Sequence, residues 1–287
     1  MKILVTGATG HLGSAVIETL LQKMPAKQIA VVVRKEEKRA AFEAKGLQAF
    51  LGNYDDLHSL EKAMKGIDTV LLISSTDEGN RMQQHRNVVD TAKKTGVKTI
   101  AYTSRSLHDK ATLSNQLMLE HFDTEDYIKA SGLNYSIFNN ALYMDVLPLF
   151  VGKQVFETGI FQPAGAGKVA FALRAEMGEA MANVLLEKKF ENKMYRFTGS
   201  EAYSFDDVAG VLSTLSGKEV KYTSVEIPAF SELMKAKGLP DFVVKKIIDF
   251  NTDIKNGQEA TVSSDLAQKL GRKPANLSDG LKVLFDL

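Results

Sequence analysis

The sequence predicts an α/β fold, a doubly wound parallel sheet with helices on both faces followed by a smaller, mostly helical C-terminal domain. Three observations predict it. Short β-branched runs alternate with stretches of helical periodicity from the first residue to about Asn140. A glycine-rich turn stands between the first run and the first helical stretch. The alternation then breaks at Pro148, Gly152, Gly159, Pro163, Gly165 and Gly167, and helical spacing resumes towards the end of the chain. Its 287 residues are enough for one large domain or two smaller ones. The pattern divides them into a larger sheet-forming part at 1–140 and a smaller part at 141–287, with the segment at about 174–198 expected to return to the first sheet.

Taken in order, 2–6 is an apolar run ending in glycine, and 12–23 carries Leu12, Val16, Leu20 and Leu21 at helical spacing. The run 29–33 is too short for a helix and is uninterrupted, as expected for a parallel strand buried on both faces. Helix, strand and helix follow at 36–45, 48–51 and 57–65. Strands at 69–73, 99–102 and 135–138 alternate with helices at 81–95 and 113–130. Parallel strands joined through helices need right-handed crossovers, which place helices on both faces of one sheet. Beyond the loop-rich stretch, 176–186 reads as helix and 194–197 as strand. Ser204 with Asp207 marks a helix start before Val208, Val211 and Leu212. A strand is expected at 220–225, and 231–287 is mostly helical.

Composition narrows the chemistry. Lys plus Arg number 36 against 35 Asp plus Glu, so the net charge of +1 gives no field for nucleic acid or an anionic membrane. The chain has no cysteine, which excludes disulfides, thiolate nucleophiles and zinc–thiolate or iron–sulfur sites. Redox chemistry would have to come from a bound cofactor. The five histidines are scattered without a metal-binding spacing, so no metal is expected. The N-terminal residues do not read as a signal peptide, and no apolar run approaches a membrane span. A cytoplasmic protein is expected, acting on a small molecule without direct contact to nucleic acid or membrane, as a monomer or homodimer.

The most informative residues are Gly7, Ala8, Thr9, Gly10, His11, Leu12 and Gly13. They form G-x-x-G-x-x-G between the first strand and the first helix. One glycine permits the tight turn, one lets main chain approach a diphosphate, and one lets helix and strand pack closely. The diphosphate then meets the positive end of the helix. This is the dinucleotide-binding arrangement of Rossmann-type sheets. At the end of the second strand an acidic residue would select NAD, but Arg34 stands there with Lys35 and Lys38 behind it. A guanidinium suits a 2′-phosphate through paired charged hydrogen bonds, so the cofactor expected is NADP(H). The alternative is that Arg34 is a solvated loop charge.

With GATGHLG at 7–13, VVVR at 31–34, AYTS at 101–104, EHFDTEDYIKASGLNYSIFNNALY at 120–143 and ENKMYRFTG at 191–199, the chain resembles the NmrA-like atypical short-chain dehydrogenases. Within them it is most similar to the branch of type 2 NAD(P)H:quinone oxidoreductases and triphenylmethane reductases. The resemblance implies an NADPH-binding Rossmann domain, a small C-terminal domain and a substrate cleft between them. Ordinary members of the superfamily carry a Tyr-x-x-x-Lys pair. Aligned through Glu125, the lysine position falls on His121 and the tyrosine position on Leu117. Leucine donates no proton. The alkoxide formed from a ketone needs an acid, whereas the far weaker base formed from a quinone can take its proton from solvent. Hydride transfer to a quinone or a similar conjugated acceptor is therefore expected. The alternative is a redox-sensing regulator that binds NADP without turnover and acts by protein contact.

Candidate residues follow. His121 contacts ribose or nicotinamide in place of the lysine, or else is a helix-surface histidine paired with Glu125. Ser104, placed just past the fifth strand, hydrogen-bonds the substrate or caps the next helix. Thr103, Ser74 and Ser75 line the cofactor channel, and Asn53 with Tyr54 follows the third strand near the adenine. Asn140, Ala141, Leu142 and Tyr143 are placed after the sixth strand on the substrate side, with Tyr143 as a flat stacking surface or as core. Relatives often have arginine where this chain has Asn139. Phe150, Phe156, Phe161 and Phe171 either roof the cleft or fill the core.

Overall fold

The computed structural model describes residues 1–77, 79–152, 154–187 and 192–287. Its first part runs β1 (Ile3–Val5), α1 (His11–Lys23), β2 (Ile29–Val33), α2 (Glu36–Glu43), β3 (Gln48–Leu51), α3 (Leu57–Met64), β4 (Thr69–Leu72), α4 (Arg81–Lys94), β5 (Thr99–Arg105), α5 (Gln116–Ala130) and β6 (Asn134–Asn140). There follow α6 (Leu147–Val151), α7 (Val155–Thr158), β7 (Ile160–Gln162), β8 (Lys168–Val169), α8 (Arg174–Leu185) and β9 (Lys193–Phe197). The chain ends with β10 (Tyr203–Ser204), α9 (Phe205–Ser216), β11 (Tyr222–Ser224), α10 (Ile227–Ala236), α11 (Asp241–Lys255), α12 (Asp265–Leu270) and α13 (Leu277–Phe285).

One seven-stranded sheet has the order β3-β2-β1-β4-β5-β6-β9, and every neighbouring pair in it is parallel. The strands carry apolar residues at consecutive positions because both faces are covered. Ile3 and Val5 of β1 enter a core with α1 and α8, while Leu4 enters the opposite core with α3 and α4. β9 joins through its register with β6, and Phe138 stacks on Tyr195 and Phe197 with ring centres 5.8 and 5.4 Å away. Each such aromatic pair adds about 0.5–1.5 kcal/mol beyond area burial. Of the block at 191–199, Glu191 lies outside the described residues, as do 188–190 of the segment expected at about 174–198.

A separate core joins α6, β7, β8, α9, α11 and α13. Here Ser204 and Asp207 form the expected capping box at the start of α9, each side chain bonding the other's backbone. The four phenylalanines divide. Phe171 is fully buried, Phe150 stacks on Phe205, and Phe156 meets Phe285 edge-on, so these three fill core, while Phe161 is 39% exposed.

Two strands run further than the periodicity indicated. β5 extends to Arg105 and β6 to Asn140. Ser104 thus lies inside β5 and Asn140 ends β6, correcting their expected places beyond the strands. The cause is β6 itself, whose ladder with β5 continues through Ser104↔Asn139 and Arg105↔Asn140 although those residues are polar. Ladder pairing overrides weak local β propensity at the end of a central strand.

Candidate functional site

The sheet order reverses between β1 and β4, so the connections from these strands leave to opposite sides and open a crevice at their carboxyl ends. The glycine loop fills that point. Gly7 has φ +61°, and a Cβ there would meet Ile73 at 2.9 Å. A Cβ on Gly13 would lie 2.4 Å from Gly7 O, so α1 can start this close to β1 only without a side chain. Gly10 is the N-cap of α1, and a Cβ on it would meet Gly7 O at an ordinary 3.4 Å. Among the described residues no side chain caps α1, and no acidic residue stands in its first turn. The first N–H groups of the helix are thus open to solvent or a ligand. Gly7, Thr9, Gly10 and His11 are exposed, while Ala8, Leu12 and Gly13 are buried beneath them. This cradle, its backbone donors and its dipole fit a diphosphate.

Arg34 and Lys38 are both exposed at the end of β2, and neither forms an ion pair among the described residues. Their neighbours are paired instead, Lys35 with Glu37 and Arg39 with Glu36 and Glu43. At the end of β3 the Asn53 side-chain oxygen accepts from the N–H groups of Asp55 and Asp56, so it shapes its own turn. The Tyr54 hydroxyl lies 2.6 Å from Thr6 Oγ1 and 2.8 Å from Ile73 O, tying the ends of β1 and β4 together. Burial holds its ionisation above the ordinary tyrosine range.

The ends of β4 and β5 are joined by side chains. Ser74 N–H donates to Thr103 Oγ1 at 2.9 Å. Ser75 is engaged four times: its N–H donates to His85 Nε2 at 2.9 Å, its hydroxyl donates to Gln84 and accepts from Asp77 N–H at 3.1 Å, and its carbonyl accepts from Arg81 Nε at 2.8 Å. Since His85 Nε2 accepts, Nδ1 carries the proton and donates to Thr124 Oγ1 at 2.9 Å. Burial, with Arg81 nearby, lowers the His85 pKa to about 3. Arg81 also donates to Leu117 O at 3.0 Å, fixing α5 against β4.

His121 and Ser104 belong to two adjacent but distinct clusters. His121 is 5% exposed and its Nδ1 lies 2.8 Å from the hydroxyl of Tyr102. It is not a surface residue paired with Glu125, because α5 presents this face to β5. Burial, with Arg81, Arg105 and His85 adding to it, holds its pKa well below the usual value, so the ring is neutral. Ser104 instead donates to Glu125 Oε1, which also accepts from Asn139 Nδ2 at 2.7 Å. Ser104 does not cap α5; Asn115 does, accepting from Leu117 N–H at 3.1 Å.

On the far side, Asn140 Nδ2 and the Tyr143 hydroxyl are 3.5 Å apart, and Ala141 N–H donates to Phe197 O. The guanidinium of Arg174 sits 4.5 Å over the Tyr143 ring, which is partly buried against the core of α1 and α8.

Several residues absent from the sequence-based candidates shape this edge. Arg105 donates to Glu259, a buried ion pair between β5 and the segment after α11. Asp253 accepts from the N–H groups of Ser114 and Asn115 at 2.7 and 3.1 Å. Gln258 accepts from those of His108 and Asp109 at 3.0 and 2.9 Å. Residues 253–259 therefore grip the loop from β5 to α5. These contacts are separated by 138 to 154 residues, and no local pattern announces them. Among the described residues no group of three or more His, Asp or Glu could hold a metal, and no helix is long and apolar enough to cross a membrane.

A model of the NmrA-like family matches residues 1–279. Quinone oxidoreductase 2 of Escherichia coli is 36% identical over 286 residues, 99% of each chain. Its structure in complex with NADPH superposes with a TM-score of 0.92 at 35% identity, again over 99% of both chains. The triphenylmethane reductase of Citrobacter sp. gives a TM-score of 0.92 at 33% identity over the whole of both chains, and its complex with NADP(H) gives 0.91.

Proposed function

This chain belongs to the NmrA-like family, and we propose that it is an NADPH-dependent reductase that transfers hydride to a quinone or a similar conjugated acceptor. The observation that carries the reading is the uncapped start of α1, cradled by Gly7, Gly10 and Gly13 where the sheet order reverses. The quinone and dye reductases it is similar to, crystallised with NADPH or NADP(H), support it.

Residues 7–13 would hold the diphosphate through Gly7, Ala8, Thr9, Gly10, His11, Leu12 and Gly13. Arg34 and Lys38 would take the 2′-phosphate, with Asn53 and Tyr54 below the adenine. Ser74, Ser75 and Thr103 would carry the dinucleotide across the edge towards Ser104 and His121. Asn140, Ala141 and Tyr143 would face the acceptor, with one ring face of Tyr143 against its conjugated system. Bound there, the dinucleotide would supply hydride from its nicotinamide.

The chain's own groups favour an acceptor whose reduced form is a weak base. Leu117 has no proton to give. The neutral His121, fixed by Tyr102, does not supply the positive charge by which a lysine would activate a proton donor. A quinone needs neither, since its reduced anion is stabilised by the ring and takes a proton from solvent. Following NADPH oxidation with a panel of quinones and cationic dyes tests the reading, turnover with at least one class being expected. Background rates throughout, with NADPH still bound, would sink it and leave a sensor of the dinucleotide.

A further inference from the structure

At the carboxyl ends of β5 and β6, and on the segment after α11 that packs there, four buried side-chain atoms have no hydrogen-bond partner among the described residues: Arg105 Nε, Ser106 Oγ, Asn140 Oδ1 and Glu259 Oε2. Their residues adjoin. Arg105 and Asn140 are register partners, Ser106 N–H donates to Asn140 O at 2.8 Å, and Arg105 donates to the other oxygen of Glu259. Asn140, Glu259 and Ser106 are 0, 2 and 3% exposed. Tyr143 lies beside them, its hydroxyl 3.5 Å from Asn140 Nδ2. Leaving one such atom unpaired in a low-dielectric place is costly, and leaving four together calls for a use.

Their chemistry is mixed in an informative way. Arg105 Nε–H only donates, the oxygens of Asn140 and Glu259 accept, and the Ser106 hydroxyl does either. A quinone oxygen arrives as a carbonyl, which only accepts, and leaves as a hydroxyl, which also donates. A donor flanked by acceptors serves both forms.

We propose that Arg105, Ser106, Asn140 and Glu259 form the subsite for the oxygen of the acceptor. The assignment rests on the reductase reading above. In the reaction, the C–H bond of the donor breaks and its hydrogen enters the quinone with both electrons. One quinone oxygen becomes anionic, and a proton from solvent completes the hydroquinone. Arg105 faces the anionic oxygen while it lasts. Glu259 is a positioning residue: it holds the guanidinium in place and offsets its charge, so that the neutral product leaves.

The 287-residue chain with menadione as probe tests this. The double variant Arg105→Met/Glu259→Met replaces the pair with apolar side chains, a change that buried ion pairs commonly tolerate. Its melting temperature and NADPH affinity are expected to stay near wild type. Its KM for menadione should rise at least about tenfold, and calorimetric affinity for menadione without NADPH should weaken as much, because the hydrogen-bonding groups are gone. A wild-type KM and affinity in a folded double variant would overturn the subsite and leave the reductase reading standing. A wild-type chain that cannot reduce quinones would end both. Should the double variant fail to fold, Arg105→Lys decides: it keeps the charge but loses the forked geometry, so the same rise in KM is expected, and an unchanged KM refutes the assignment.

Discussion

The two halves of the sheet's carboxyl edge are built on opposite plans. At β1 and β4 the surface is main chain: glycines, an uncapped helix start, and side chains such as Thr6 and Tyr54 bonded beneath it. At β5 and β6 the surface is side chain: Ser104, Glu125, Asn139, Arg105 and Glu259 bond one another, and residues from the C-terminal part reach in to complete the set. The first half suits a ligand whose diphosphate is always the same. The second can vary by substitution without disturbing the fold's turn geometry. Local backbone supplies binding at one end, and long-range assembly supplies selectivity at the other.

The sharpest way to break this contrast is to remove one partner of the buried pair. Glu259→Ala leaves Arg105 with an uncompensated buried charge and should cost about 3–5 kcal/mol in urea unfolding. A loss under about 1 kcal/mol, the value for an exposed pair, would show that the acceptor edge does not depend on its long-range assembly.

Acid should next loosen the seam between the two halves, where His85 joins Ser75 after β4 to Thr124 of α5. The folded pKa of His85, about 3, lies below its unfolded reference of 6.5. The unfolded chain therefore binds the proton first as pH falls, and stability is full above pH about 6.5 and declines towards pH about 3. Between pH 7 and 5 the loss from His85 is about 2 kcal/mol. The neutral His121 adds in the same direction. Melting temperatures across this window should drop for wild type and drop less for His85→Gln; parallel curves would remove His85 from the account.

At the other half, Arg34→Ala should raise the NADPH dissociation constant about tenfold, the worth of one charge-assisted contact, and leave that for NADH unchanged. Equal losses for both dinucleotides would refute the 2′-phosphate role. The smallest effect belongs to the exposed pair of Lys94 and Glu61, 2.5 Å apart on the outer helices. Lys94→Ala should change stability by about 0.5 kcal/mol and leave dinucleotide affinity alone, setting the baseline for the buried pair.

The same contrast explains what could be read in the sequence. Strand and helix order to Asn140 is legible because each strand carries a short apolar stretch and each crossover helix has its own period. The glycine loop was legible because its whole geometry lies within seven consecutive residues, from Gly7 to Gly13. Ser104 was placed outside β5 because polar residues give no strand signal, yet the ladder with Asn139 continues through it. Helical spacing offers Glu125 as one of two readings for His121, while its bond is to Tyr102 on a strand. Arg105 and Glu259 lie 154 residues apart, and only the folded chain brings them together.

The most direct measurement of the central claim is calorimetric titration of NADPH into wild type and Gly10→Val. A Cβ on Gly10 meets only Gly7 O at 3.4 Å, so the variant should fold while its added methyl groups stand where main chain must touch the diphosphate. Tight NADPH binding by wild type, with affinity lost by at least about a hundredfold in a variant of unchanged melting temperature, is the result expected. Equal affinity in the two proteins, or none in wild type, would contradict it.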